Sequence, residues 1–357
     1  MSTEYQHTPV MIEEVINYLN PRKGQFFIDC TLGGGGYTFA LAKQVGKTGQ
    51  VLAIDLDENA IKNAKLKKIN YHRLGHRICE ANGIPPSQNK YKWRDKLGNV
   101  ILINENFKNL QKIVSDFAAK NPSLEVLPTG NSKKTINFDG IVFDLGLSSA
   151  QLQDRSRGFS FKLDAPLNMD FAGKGVNNDT EYIVNHWRQS DLEKIFREYG
   201  EERLAEKIAK KITEYRKTKR IKTTGQLVEI ILEAIPKKCQ NFKRKIHPAT
   251  KIFQALRIAT NNELENLKIA LAAAIKLLKP SGKIMVISYH SLEDRIVKRF
   301  FRQESKDCIC PPELPVCRCG HKAQLKIINK KVIIPTDNEI KSNPRARSAK
   351  MRIAEKI

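Results

Sequence analysis

The chain has 357 residues, 41% of them hydrophobic and 28% charged, enough for one large α/β domain with a smaller unit and a conventional buried core. Lysine and arginine outnumber aspartate and glutamate 62 to 38, a formal charge of +24, which favours a nucleic-acid partner over a merely basic surface because phosphates attract clustered cations. The apolar stretches carry charges every few residues and the opening "MSTEYQHTPV" lacks the basic start and apolar core of a secretory signal, so neither a membrane nor an exported protein is expected, and the cytoplasm is the expected compartment.

In chain order, "HTPVMIEEVINYL" (His7 to Leu19) reads as a short amphipathic helix leading into a first strand, Phe26 to Thr31. Four glycines follow, then the helix "TFALAKQV", the strand "GQVLAIDLD" and the helix "ENAIKNAKLKKI". "NVILINENF" (Asn99 to Phe107), "FDGIVFDLG" (Phe138 to Gly146) and "GKIMVISYH" (Gly282 to His290) read as further strands, the last preceded by a helix from Glu263 to Leu278 and a "KPSG" stop. Strands separated by helices imply a mostly parallel sheet. Residues 70–98 and 119–137 are polar or Pro/Gly-punctuated and read as surface excursions. Between 151 and 245, "DTEYIVNHW", "DLEKIFREYG", "RLAEKIAKKITEYRKT" and "TTGQLVEIILEAIP" are successive helix patterns with no strand between them. The domain expectation is therefore 1–150 with 246–357 as the sheet domain and 151–245 as an inserted helical domain.

The glycine turn ends the first strand, where backbone amides can approach a ligand closely. Gly33 and Gly35 fit a dinucleotide fingerprint, but its third position is Thr38, and Asp29 stands four residues before Gly33. A carboxylate there suits the cationic amino end of S-adenosylmethionine better than a pyrophosphate, and Asp55 at the end of the second strand can accept ribose hydroxyls in either case. NAD and a ligand-free mobile turn stay open on this segment alone. Asp144 ends the strand beside the reactive end of such a donor. No Pro-Cys for attack on a pyrimidine ring carbon and no Tyr-x-x-x-Lys for hydride transfer stands in this region. Methyl transfer to nitrogen needs neither; it needs a positioned amine and an acceptor for its N–H. As a lone residue, Asp144 could equally be a turn cap.

The segments "HTPVMIEEV", "DCTLGGGGY", "LAIDLD", "FDGIVFDLGLSSAQLQD", "RGFSF", "YGEERLAEKIAKKI", "HPATKIFQALRIATNNEL", "ISYHSLEDRIVKRFF" and "NPRARSAKMRIAE" resemble, in order and over almost the whole chain, the bacterial ribosomal RNA small subunit methyltransferase H family. The resemblance implies a class I S-adenosylmethionine-dependent methyltransferase, a Rossmann-like α/β sheet with an inserted small helical domain that helps receive RNA. It implies N4-methylation of a specific cytidine in the decoding region of 16S rRNA within the small ribosomal subunit. Another RNA or DNA base as target, and a non-catalytic RNA-binding assembly protein, are the alternatives; a homodimer is left open. By carry-over, Gly35, Gly36 and Tyr37 would line the methionine side of the donor, Asp55 the ribose, Phe107 the adenine, and Asp144 and Gln151 its remaining edge; Gly33 of the turn joins them as a cofactor-binding candidate. Asp144, Asn168 and His290 are the catalytic candidates. The family commonly has histidine at Tyr37, and its pattern near Gly-Pro-Leu-Asp-Met-Arg-Met is here "APLNMDF", Ala165 to Phe171, so Asn168 replaces an acid and Asp170 an arginine. Asn168 can accept a hydrogen bond but is no base at neutral pH, and Asp170 would set a negative group where RNA approaches.

Around His290, a helix-start network capped by Ser291 accounts for Glu293, Asp294 and Arg295 as well as a cytosine pocket does. His247 reads as structural or as an RNA contact. The helix from Arg203 to Lys222 carries nine cations over an apolar face of Leu204, Ile208 and Ile212, and Arg345, Arg347, Lys350 and Arg352 form a basic tail that contacts phosphate or docks on the domain. Cys30, Cys79 and Cys239 are isolated. Cys308, Cys310, Cys317 and Cys319 form two C-x-C pairs ahead of an expected strand pair in "KAQLKIINKKVIIP"; zinc and a reduced or partly oxidised surface loop both stay open, and no metal is assigned.

Overall fold

The computed structural model describes residues 9–73, 93–120, 136–162, 164–173, 179–236, 247–314 and 316–357. It divides into two compact units, Met1–Gly146 with Asn266–Ile357, and Leu147–Glu265. The helical unit thus extends twenty residues beyond the expected 245. The cause is packing: Ala249, Ile252, Phe253, Ala255 and Leu256 are buried in the same cluster as Ile208, Ile212, Leu227 and Ile231.

The first unit is built on an eight-stranded sheet. Its strands are β1 (Phe26–Asp29), β2 (Gln50–Asp55), β3 (Trp93–Leu97), β4 (Val100–Asn104), β5 (Phe138–Asp144), β6 (Leu278–Ser288), β7 (Leu325–Ile327) and β8 (Lys350–Lys356), in the order β3-β4-β2-β1-β5-β6-β8-β7. β1, β2, β4, β5 and β6 run parallel, and β8 pairs antiparallel with β6, β7 with β8 and β3 with β4. The parallel strands are near-continuous apolar runs because both faces of the sheet are covered. One face buries Ile28, Leu52, Ile54, Ile141 and Phe143 against Leu110, Val114 and Phe117 of α4 (Leu110–Lys120) and Leu267, Leu271 and Ala274 of the helix Glu263–Leu277. The other buries Phe27, Val51, Ala53, Val142 and Met285 against Val15 and Leu19 of α1 (Ile12–Leu19) and Leu41 and Val45 of α2 (Gly36–Val45).

Several expectations are corrected. α1 starts at Ile12, after Met11 in the left-handed region at φ 53°. β3 is an edge strand inside the first expected excursion, paired through its backbone with β4 across an irregularity between Arg94 and Lys96. The rest of that excursion from 74 to 92, and 121–135 of the second, lie outside the described residues. α3 (Glu58–Arg73) and β6, which opens at Leu278, are longer than read. The expected strand pair after the cysteines is one short strand, β7, plus a bridge from Ile333 to Met351; both partners are in β8 because the C-terminal tail carries the buried Met351, Ile353 and Ala354.

The second unit is helical: α5 (Ser149–Gln153), α6 (Thr180–His186), α7 (Gln189–Glu198), α8 (Ala205–Tyr215), α9 (Thr224–Ala234) and α10 (Ala249–Asn261). The sequence sets its helix starts. Asp179 accepts from the Tyr182 amide at 2.8 Å, and Thr223 with Gln226 forms a capping box. The helix Glu263–Leu277 (α11) begins in this unit, and its length beyond Glu265 belongs to the first.

Candidate functional site

The strand order reverses between β1 and β5, where a parallel α/β sheet opens a crevice at its carboxyl edge. The backbone shows the opening directly: the Cys30 amide donates toward β5, to Val142 O, while that of Leu32 donates toward β2, to Ile54 O. Into this edge the strand ends deliver Asp29, Asp55 and Asp144.

The glycine turn leaves the top of β1 with Gly33 at φ 48° and Gly35 at φ 80°, values that favour glycine. Gly36 begins α2, and a Cβ there would lie 2.5 Å from Pro9 Cγ, so the helix start and the N-terminal segment approach closely. The Gly33 amide donates to Asp55 Oδ2 at 2.7 Å and the Asp57 amide to Asp55 Oδ1 at 2.8 Å. Asp55 therefore clamps the turn to the end of β2. Its oxygens keep further lone pairs for an outside donor.

Asp29 is fully buried and accepts from Thr38 Oγ1 at 2.6 Å and from the Thr31 amide at 3.1 Å; burial nonetheless pushes its carboxyl above the usual range. Asp144 is half-buried, accepts from Tyr289 Oη at 2.8 Å, and offers its amide to Thr31 Oγ1 at 2.7 Å. Burial, reinforced by the charges of Asp29 and Glu293, raises it to about 7 against the pull of the Tyr289 hydroxyl. Burial likewise raises Asp55 to about 6, with Asp57 and Asp29 adding to it. Tyr37 is buried and its hydroxyl donates to Val10 O. Phe107 opens a 3-10 turn after β4 and sets its ring edge-on to Phe143 at 5.8 Å, leaving it part exposed.

Burial raises all three carboxyls, and the charge of Asp29 adds to the rise at Asp55 and Asp144, so this edge is costly to ionise alone and is relieved by a cation. A pyrophosphate would add negative charge to the same place. The donor set consequently fits a ligand with positive charge on its polar end, and the NAD alternative is disfavoured on electrostatics.

His290 corrects the expected cap. It is itself the N-cap of α12 (Ser291–Glu304): Nδ1 accepts from the Glu293 amide at 3.4 Å, and Glu293 Oε2 accepts from the Tyr289 and His290 amides at 3.0 and 3.3 Å. His290 Nε2 lies 3.2 Å from Glu293 Oε1, off the line of a good hydrogen bond. Asp294 is bound by Arg352 of β8 in a bidentate pair at 2.7 and 3.1 Å, so this member of the basic tail is structural.

In the helical unit, Gln151 is buried and its Oε1 accepts from the Ser148 amide at 3.0 Å, closing the capping box of α5. Asn168 Oδ1 accepts from the Asp170 amide at 2.8 Å, and Asp170 Oδ1 from the Ala172 amide at 2.9 Å. Both residues thus accept within a turn; at Asn168, which stands for an acid, Asn and Asp are interchangeable acceptors, whereas Asp170 supplies an acceptor that an arginine lacks. The turn is fixed by the buried Arg157, whose Nη2 donates to the carbonyls of Asp170 and Phe171 at 2.7 and 2.6 Å, and by Asn261, which bonds Met169 O and the Phe171 amide. His247 is exposed, packs on the Phe161 ring at 5.0 Å, and accepts at Nδ1 from the Ala249 amide.

The basic helix is shorter than read. α8 ends at Tyr215; Arg216 donates to the carbonyls of Val184 and Trp187, while Lys211 pairs with Glu233 and Arg220 with Glu181. Arg203, Lys207, Lys217, Lys219 and Lys222 remain exposed on this unit. Sequence reasoning missed Tyr289, Thr31 and Thr38 as partners of the acidic edge. The available signal was position: Tyr289 follows the end of β6 as Asp144 ends the adjacent β5.

A model of the MraW methylase family matches residues 4–82 and 86–357. The chain is 41% identical over 352 residues to the ribosomal RNA small subunit methyltransferase H of Halothermothrix orenii, covering 99% of each chain. It is 38% identical over 353 residues to that of Brevibacillus brevis, covering 99% of this chain and 98% of the relative. With that of Dehalococcoides mccartyi it shares 42% over 355 residues, 99% of this chain and 88% of the other.

Proposed function

The chain belongs to the MraW methylase family, and from that premise we propose how its residues carry out the family's reaction. The protein is an S-adenosylmethionine-dependent methyltransferase that modifies N4 of a cytidine in 16S rRNA. Its target lies in the decoding region, presented by the small ribosomal subunit in the cytoplasm. Among the described residues no helix is long and apolar enough to cross a membrane. The single observation that carries the site assignment is the cluster of Asp29, Asp55 and Asp144 at the carboxyl edge of the sheet, with raised pKa values that a cationic ligand relieves.

When bound, the donor supplies an electrophilic methyl group on a sulfonium. Gly33, Gly35, Gly36 and Tyr37 would hold its methionine end, Asp29 would balance positive charge there, Asp55 would accept from the ribose hydroxyls, and Phe107 would offer a ring to the adenine. A cytosine amine is already neutral, so the protein's task is to orient it and to take up an N–H as the nitrogen rehybridises. Asp144 is suited to that: beside a cation its carboxyl is ionised at neutral pH, and Tyr289 fixes the carboxylate through Oδ1 while its lone pairs can accept more than one donor. His290 positions this edge through its cap with Glu293, and Asn168 holds the 165–171 turn. The exposed cations of the helical unit supply phosphate contacts.

The test is incubation of the purified protein with labelled donor and small subunits lacking the modification, followed by nucleoside mass analysis. N4-methylcytidine is expected. Label only at adenine N6 or at a pyrimidine ring C5 would overturn the assignment.

A further inference from the structure

Between the end of α12 and β7 the chain makes an excursion with neither helix nor strand, in which every described residue from Lys306 to Gly320 except the half-buried Cys310 is exposed. Ile309, Leu314 and Val316 point to solvent, Val316 at 69% exposure, so among the described residues no apolar cluster holds the segment together. A loop of this length without a core needs another cross-link to keep one shape.

Its four cysteines nevertheless converge. All four sulfurs lie within 4.8 Å of one another, with Cys308–Cys317 at 3.5 Å, Cys317–Cys319 at 3.6 Å and Cys308–Cys319 at 3.8 Å. A tetrahedral zinc–thiolate centre with bonds of about 2.3 Å has sulfurs roughly 3.8 Å apart, so the observed spacing is nearly that of a coordination tetrahedron. All four are free thiols.

The backbone is arranged for thiolates as well. The Ile309 amide, inside the first pair, donates to Cys319 Sγ at 3.4 Å, and the Arg318 amide, inside the second pair, donates to Cys310 Sγ at 3.4 Å. Two further amides donate to a cysteine two residues earlier, Cys310 to Cys308 Sγ at 3.4 Å and His321 to Cys319 Sγ at 3.5 Å. The two C-x-C elements are thus related by an approximate two-fold exchange, each sending an N–H to the last cysteine of the other. The C-x-C spacing is short for a zinc hairpin, and the crossed amides explain how it works: the two pairs face each other, so each needs to present only two sulfurs. The base of the loop is fastened independently, with His321 bonded to Lys306 O at 2.9 Å, and Gln324 to both the carbonyl and the carboxylate of Glu304.

We propose that Cys308, Cys310, Cys317 and Cys319 bind a zinc ion as four thiolates, and that the ion is the missing core of the 306–320 loop. Four sulfurs fill the tetrahedron, so the site is structural and leaves no position for a substrate or water. Binding releases the thiol protons to solvent and involves no change of oxidation state.

The experiment uses the full chain purified under reducing conditions from zinc-supplemented cells, with metal content by mass spectrometry and alkylation of each cysteine mapped by peptide. One zinc per chain is expected, with Cys308, Cys310, Cys317 and Cys319 protected until a strong chelator is added. Cys308→Ser with Cys319→Ser should abolish the bound zinc, while Cys79→Ser with Cys239→Ser should retain it. Should the first variant fail to fold, cobalt exchanged into the native protein supplies the decisive readout: tetrahedral tetrathiolate absorption supports the site. Freely alkylated thiols without metal, disulfides within the loop, zinc persisting in the Cys308→Ser, Cys319→Ser variant, or octahedral cobalt would each overturn it.

Discussion

Tyr289→Phe removes one hydroxyl from the acidic edge and little else. The ring packs beside Gly146, where a Cβ would lie 3.3 Å from it, and phenylalanine keeps that contact. What is lost is the 2.8 Å hydrogen bond to Asp144 Oδ1, which opposes the burial that raises this carboxyl to about 7. A hydrogen bond to a charged group is worth about 1.5–3 kcal/mol, which corresponds to about 1–2 pKa units. Because Asp144 is only half-buried, the lower end applies, and its pKa in the variant should rise further. The assay is calorimetric titration with S-adenosylmethionine from about pH 5 to about pH 9. A cation binds the ionised carboxylate, so below the pKa affinity falls by about tenfold per pH unit. The break in that profile should move up by about one unit in Tyr289→Phe while affinity on the alkaline plateau changes little. The stability of the ligand-free protein has the opposite slope. A carboxyl raised in the folded state holds its proton more tightly there, so its contribution is complete below the usual 3.8 and is lost as pH rises to about 7, and over a window reaching higher in the variant. Coincident breaks in the two proteins, or a downward shift, would refute the reasoning that Asp144 and its tyrosine tune donor binding.

Asp144→Asn removes the charge altogether: without ligand its thermal midpoint at pH 8 should exceed that of the native protein by a few degrees and match it near pH 4, while donor binding at pH 8 weakens at least about tenfold, read by scanning fluorimetry and calorimetry. Gly36→Ala places a methyl 2.5 Å from Pro9 Cγ; overpacking of about 1–3 kcal/mol should lower the midpoint by several degrees and weaken donor binding. Asp294→Ala leaves Arg352 without its bidentate partner and should cost about 3 kcal/mol in denaturant melts, with Arg352→Met costing less. Arg157→Ala frees the carbonyls of Asp170 and Phe171 and should accelerate amide exchange across 166–173.

Much of the sheet domain was legible because its strands are short, apolar and punctuated by glycine, and their ends fall on aspartates. The helices of the insert were legible for the same local reason: two of their patterns open on Asp179 and Thr223, which the structure shows as N-caps. The misreadings share a cause. β3 carries charges because an edge strand needs only its backbone to pair. The insert's second boundary was misplaced because α10 is amphipathic toward helices nearby in space, and its periodicity does not say which core it faces. The shortened α8 reflects Arg216 leaving the cationic face to bond two carbonyls.

The sequence by itself determined the chemistry available: a glycine turn, three strand-end carboxylates, an aromatic ring after β4, two C-x-C pairs and a cationic helical insert. Local hydrogen bonding and apolar periodicity act over a few residues, so these features survive in one dimension. Only the tertiary structure decided what the groups do to each other. It buried Asp29, Asp55 and Asp144 at one sheet edge, where the charge of Asp29 adds to the rise at the other two, supplied Tyr289 to one of them, made His290 a cap, and gathered four sulfurs within 4.8 Å of one another. Electrostatic coupling and coordination depend on separation through space, and residues 29, 144 and 289 become neighbours only once parallel strands align their carboxyl ends.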